Sequence, residues 1–108
     1  MKRFYLFCNA GMSTSLLASK MQQVANDNGL PIEIKAYSDS QMDAIVNELN
    51  PDVILLGPQV KYLYDKVVDR YGQNGTPVFV IDTADYGNVN GERVLKTALK
   101  IYKEKGGK

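Results

Sequence analysis

The run Phe4-Tyr5-Leu6-Phe7-Cys8-Asn9-Ala10-Gly11-Met12-Ser13-Thr14-Ser15 decides how this chain folds. Phe4 to Phe7 is a short apolar stretch that reads as a buried strand, and it ends on the only cysteine of the protein. Small and hydroxyl residues with one glycine follow, and Leu16, Leu17, Met21 and Val24 then open a helical pattern. A strand, a tight polar loop and a helix start aim several backbone N–H groups at one point, where the positive end of the helix dipole also lies. Dipole and donors together favour thiolate over thiol at a cysteine on the lip of such a loop. The same donors suit the three terminal oxygens of a phosphate carried on the sulfur. Cys8 therefore reads as a nucleophile that accepts a phosphoryl group. A lone cysteine at a strand end can also be a small buried hydrophobe, but that role needs none of Gly11, Ser13, Thr14 and Ser15 after it.

Composition narrows the chemistry around this stretch. The 108 residues suffice for one domain with a modest core, expected over residues 1–105 with 106–108 as a disordered tail. Lys and Arg number 13 against 12 Asp and Glu, so no net field draws the chain to nucleic acid or a membrane surface. A single cysteine excludes an intrachain disulfide and a Cys-x-x-Cys redox pair. The lack of any histidine removes Cys–His and Ser–His–Asp catalysis and argues against a protein-only zinc site. No metal and no cofactor is expected. Met1-Lys2-Arg3 resembles the charged start of a signal peptide, but the apolar run behind it ends too soon for a hydrophobic region. Nothing approaches the ~18 apolar residues of a membrane span, so a cytoplasmic protein is expected.

The rest of the chain alternates strand and helix. The first strand is expected from Arg3 to Phe7 and the first helix from Ser13 to Asn28, with Gly29 and Pro31 ending it. Ile32 to Tyr37 forms a second strand. Ser38 and Gln41 have capping-box spacing ahead of Met42, Ile45, Val46 and Leu49, and Asn50-Pro51 stops that helix. Asp52 to Leu56, apolar on both faces over Val53-Ile54-Leu55-Leu56, is a central parallel strand. After the turn Gly57-Pro58-Gln59, a third helix carries Val60, Leu63, Tyr64, Val67, Val68 and Tyr71 on one stripe and breaks over Gly72 to Gly75. Pro77 to Ile81 is the fourth strand, Thr83 to Gly91 a polar loop, and Val94, Leu95, Ala98, Leu99 and Tyr102 the buried stripe of a last helix. This βαβαβαβα order predicts an α/β open sandwich: a four-stranded parallel sheet in the order 2-1-3-4 with helices on both faces. The topological switch then falls between strands one and three, where Cys8 and Gly57-Pro58-Gln59 meet.

Three residues beyond the loop are candidates for the surround of the site, each beside a plainer role. Gln59 either touches the phosphoryl oxygens or starts the third helix. Asp82 either reaches the phosphate or caps the loop after strand four. Tyr86 lies in a loop on the same face and either packs or docks a partner. Tyr64, Tyr71 and Tyr102 fall on core stripes and are expected to pack, and Lys61 and Lys66 read as solvated helix residues.

With these features together, the chain resembles a known family. Leu6-Phe7-Cys8-Asn9-Ala10-Gly11-Met12-Ser13-Thr14-Ser15-Leu16-Leu17, joined with Leu55-Leu56-Gly57-Pro58-Gln59-Val60 and with Ile81-Asp82 ahead of Asp85-Tyr86-Gly87, is similar to the enzyme IIB component of the bacterial sugar phosphotransferase system. The subgroup is the lactose/cellobiose (chitobiose-type) class. The resemblance implies a phosphocarrier whose cysteine, here Cys8, takes a phosphoryl group from a phosphohistidine of the IIA protein. That group then passes to a sugar held by the membrane IIC permease, a β-linked disaccharide such as cellobiose, chitobiose or lactose. It places the phosphate-binding loop on Asn9, Ala10, Gly11, Met12, Ser13, Thr14 and Ser15.

The residues agree with a carrier. No Lys or Arg lies between Phe4 and Ser19, so the loop offers a phosphate dipoles and hydroxyls but no charge that would also assist transfer to water. The rival enzyme is a low-molecular-weight tyrosine phosphatase, which places a cysteine after strand one in a Cys-x5-Arg-Ser loop. Here Ser15 matches the serine, but Thr14 stands where the arginine would clamp the phosphate. A receiver-like module would need an acidic cluster after strand one and an aspartate ending strand three; Cys8-Asn9 and Leu56-Gly57 stand there instead.

Overall fold

Strand β1 (Lys2–Cys8) is buried at every residue from Phe4 to Cys8, so it lies inside a sheet covered on both sides. The computed structural model describes residues 1–9, 11–72 and 75–104, with 11 and 12 described by backbone alone. Helix α1 (Gly11–Asp27), β2 (Ile32–Ser38), a 3₁₀ turn (Asp39–Gln41) and α2 (Met42–Leu49) follow β1. Then come β3 (Val53–Leu56), a 3₁₀ helix (Pro58–Leu63), α3 (Tyr64–Tyr71), β4 (Val78–Val80), α4 (Thr83–Gly87) and α5 (Gly91–Glu104). All strand pairs are parallel, and the order is β2-β1-β3-β4, as the alternating pattern predicts.

The period of two along β1 sorts the core into two layers. Phe4 and Leu6, with Val53 and Leu55 of β3, pack under Leu17, Met21 and Ala25 of α1 and Val94, Leu95 and Ala98 of α5. Tyr5 and Phe7, with Ile54 and Leu56, pack under Met42 and Val46 of α2 and Val67 and Tyr71 of α3. Each such fully buried aliphatic side chain contributes roughly 1.5–3 kcal/mol relative to exposure. The register sets Phe7 beside Leu56 and Cys8 beside Ser38, which brings the carboxyl ends of three strands to one edge of the sheet.

Four local expectations are corrected. Helix α1 starts at Gly11, two residues ahead of the expected Ser13, so Ser13 and Thr14 already stand inside its first turn. The residue before it, Ala10, lies outside the described residues, as do part of the expected break at Gly72 to Gly75 and the expected tail at 106–108. The third helix is preceded by a 3₁₀ stretch that starts on Pro58 and is interrupted at Val60 (φ −115°, ψ 24°). Three residues per turn rotate its stripe, and Tyr64, expected in the core, is 39% exposed. The loop after β4 contains α4, because the Asp82 carboxylate accepts from the N–H groups of Ala84 at 3.1 Å and Asp85 at 3.2 Å. The Ser38–Gln41 capping box does form, on the 3₁₀ turn ahead of α2: the Ser38 N–H donates to Gln41 Oε1 at 3.2 Å.

Candidate active site

Cys8 is the last residue of β1, and the first turn of α1 begins three residues later. That turn holds no charged side chain, so its positive character comes from the helix dipole. By strand alternation Cys8 points to the same side of the sheet as Phe4 and Leu6, towards α1 and α5. The residue is 2% exposed.

Among the described residues, three groups face the sulfur. Gln59 Oε1 accepts from the thiol at 3.3 Å, the Asn9 Oδ1 lies at 3.9 Å, and the Tyr86 hydroxyl at 3.8 Å. The Tyr86 hydroxyl also bonds the Thr14 hydroxyl at 2.9 Å, and Thr14 is buried while Ser13 and Ser15 are exposed. The loop hydroxyls thus divide: one is engaged inside the protein and two face outward. Gly57 closes the wall opposite Cys8. Its N–H donates to Phe7 O at 3.0 Å, extending the β1–β3 pairing by one bond. A Cβ there would stand 2.7 Å from Sγ and 3.2 Å from Gln59 Oε1, so glycine is what allows the sulfur and the amide to meet.

Of the candidates read from the sequence, Gln59 and Tyr86 come to the sulfur. Asp82 does not: its carboxylate holds the N-terminus of α4. That cap has a consequence for the site, since it fixes the short helix that carries Tyr86, and the Tyr86 N–H closes it by donating to Asp82 O at 2.9 Å. Asp82 with Asp85 three residues on was the sequence signal for this helix start. The Thr14–Tyr86 bond had no sequence signal, and neither did the steric demand at Gly57. Both are contacts between segments far apart in the chain. Among the described residues no cluster of His, Cys, Asp and Glu has the makings of a metal site. No helix among them is long and apolar enough to cross a membrane.

Such an arrangement, a buried thiol before a charge-free helix start, suits a transient covalent bond to a phosphoryl group better than hydrolysis. Comparison with known proteins identifies the family. Residues 3–97 match the family described as the lactose/cellobiose-specific IIB subunit of the phosphotransferase system. The chain is 46% identical over 99 residues to a cellobiose-specific EIIB component of Lactococcus lactis subsp. lactis, covering 89% of this chain and 92% of that one. It is 45% identical, with the same coverage, to a galactose-specific EIIB component of Lactococcus lactis subsp. cremoris. The solution structure of a cellobiose-specific IIB component from Borrelia burgdorferi superposes with a TM-score of 0.77 at 32% identity, over 96% of this chain and 94% of the other. The fold, the sequence and the setting of Cys8 converge, and the chain belongs to the lactose/cellobiose-specific IIB subunits of the sugar phosphotransferase system, a family of phosphotransferases.

Proposed function

We propose that Cys8 carries a phosphoryl group, as a phosphocysteine, from the phosphohistidine of a IIA protein to a sugar held by a membrane IIC permease. The observation that carries this reading is the position of the chain's one thiol at the carboxyl end of β1, three residues ahead of the start of α1. In the first step the thiolate attacks phosphorus; the S–P bond forms, the P–N bond of the donor breaks, and its electron pair returns to the imidazole. In the second, a sugar hydroxyl attacks; the O–P bond forms, the S–P bond breaks, sulfur leaves as thiolate, and the hydroxyl proton passes to a base on the acceptor side. With no histidine in this chain, the donor imidazole belongs to the partner. The backbone of residues 9–15 and the exposed hydroxyls of Ser13 and Ser15 supply the phosphate cradle. The sugar in this reading is a β-linked disaccharide of the cellobiose, chitobiose or lactose kind, and the carrier works in the cytoplasm.

The phosphatase alternative has no support in the site. Thr14 stands at the position of its arginine, buried and bonded to Tyr86, and a hydroxyl lacks the charged fork that clamps a phosphate.

Intact mass after incubation with a phosphorylated IIA protein tests the proposal. One phosphoryl group is expected, absent after alkylation of Cys8 and absent in Cys8→Ser. The serine hydroxyl ionises far less readily, and no histidine is present to activate it. Thermal unfolding of Cys8→Ser should move by no more than about 1 kcal/mol, while sugar phosphorylation in a reconstituted system collapses. Sugar phosphorylation retained by the folded serine variant would falsify the covalent-carrier mechanism.

A further inference from the structure

Among the described residues, two carboxamides turn their oxygen toward the Cys8 sulfur. Gln59 Oε1 is closest at 3.3 Å, and Asn9 Oδ1 follows at 3.9 Å. A carboxamide oxygen accepts and never donates, so the Gln59 contact fits a sulfur that still bears its proton, with S–H donating to Oε1. A sulfur that has lost the proton, or that carries a phosphoryl group, presents lone pairs and negative charge to that oxygen. The contact then becomes repulsive, although nothing else in the site has moved.

The same side chain holds the remedy. The Nε2 end of the Gln59 amide has no hydrogen-bond partner among the described residues, and the residue is exposed. Its last torsion is broad and nearly two-fold. A half turn therefore exchanges acceptor for donor at the sulfur without shifting the backbone. Two features hold the amide at the right distance: Pro58, which fixes the start of the 3₁₀ helix, and Gly57, whose missing Cβ leaves room for sulfur and amide to touch.

We propose that Gln59 is a catalytic residue of the phosphoryl transfer, whose carboxamide reverses as the carrier is loaded. In the discharged carrier Oε1 accepts the thiol proton. Once that proton has left to solvent, Nε2–H donates to the thiolate, and then to a phosphoryl oxygen after the donor P–N bond breaks and the S–P bond forms. This rests on the phosphocysteine reading above and adds to it the group that senses which state the sulfur is in.

Two substitutions separate this role from packing. Gln59→Glu has nearly the shape of glutamine but, ionised, can only accept. Gln59→Leu keeps bulk and has no polar end. The probe is the phosphorylated IIA protein, and the readout is the rate at which each variant gains a phosphoryl group by intact mass, with thermal unfolding confirming the fold. The expected order is wild type fastest, then Leu, with Glu slowest. Glu should be slowed roughly 10- to 100-fold, the scale of a lost hydrogen bond to a charged group. In the loaded wild type the side-chain NH₂ signals of Gln59 should shift and show a through-bond coupling to phosphorus. A packing role gives the opposite order, with Glu close to wild type and Leu slowest, and overturns the proposal. Wild type gaining no phosphoryl group overturns the phosphocysteine reading, and the role of Gln59 falls with it. Wild type and Gln59→Glu loading at equal rates overturns the role of Gln59 alone.

Discussion

Tyr86 carries two of the relationships that define the site. Its hydroxyl bonds Thr14 in the first turn of α1 and lies 3.8 Å from the Cys8 sulfur, while its ring is buried among the residues under α1 and α5. Packing and site geometry are therefore one contact, not two alternatives. Tyr86→Phe keeps the ring and removes the hydroxyl. A neutral buried hydrogen bond is worth about 0.5–1.5 kcal/mol, and the unfolding free energy measured in urea should fall by that amount. Phosphoryl gain at Cys8 should slow by roughly 5-fold, the same free energy expressed as a rate. A variant that loses stability but loads at the wild-type rate would show that Tyr86 only packs.

At the scale of elements, the close approach of α1 and α5 sets where the first turn of α1 sits over the sheet. Gly91, the first residue of α5, lies against the backbone of α1. A Cβ there would stand 2.8 Å from Lys20 C and from Met21 N, both main-chain atoms that cannot turn aside. Gly91→Ala should therefore cost about 1–3 kcal/mol by overpacking. Gly87→Ala is the control, because a Cβ at Gly87 meets nothing within 4 Å, and chemical denaturation of the two variants makes the comparison. The free edge of the sheet is handled by a side chain. Gln22 of α1 donates to Ile32 O and accepts from the Ile34 N–H, both at 2.8 Å, occupying backbone groups of β2 that another strand would pair with.

For the whole molecule, pH acts through hydroxyls that tie neighbouring elements on one face of the sheet, Tyr5 of β1 to Glu33 of β2 and Tyr71 of α3 to Asp43 of α2. Burial, and then the hydrogen bond to Glu33, raises the pKa of Tyr5; burial, and then the bond to Asp43, raises that of Tyr71. Both tyrosines stay protonated in the fold at a pH where the unfolded chain ionises, near ~10. Their contribution is full below that value and is lost as pH rises beyond it. The opposite holds at Asp43, whose carboxyl is held below its ordinary range by the Tyr71 bond and then by Arg70. Its contribution is present above the usual carboxylate range and is lost as pH falls through the folded value. Asp43 and Arg70 are exposed, so that acid-side effect is screened by salt and small. Urea unfolding at several pH values should show stability declining above about pH 10, and Tyr5→Phe should make that decline shallower.

Much of this was legible in the residues alone. The apolar runs Phe4–Phe7 and Val53–Leu56, the glycine and hydroxyl cluster behind Cys8, and the helical stripes between them determine the parallel sheet, its order and the place of the thiol. They do so because hydrophobic period and turn chemistry act over a few neighbouring residues. Helix α4, the exposure of Tyr64 and the role of Asp82 as a cap were decided by how the connections wind after β3 and β4. The surround of the sulfur belongs to tertiary structure entirely. Gln59 lies 51 and Tyr86 78 positions from Cys8, and no local pattern states which end of an amide meets a thiol. That contact exists because the sheet order sets β1 beside β3, because Gly57 leaves the gap, and because packing under α1 and α5 turns Tyr86 inward.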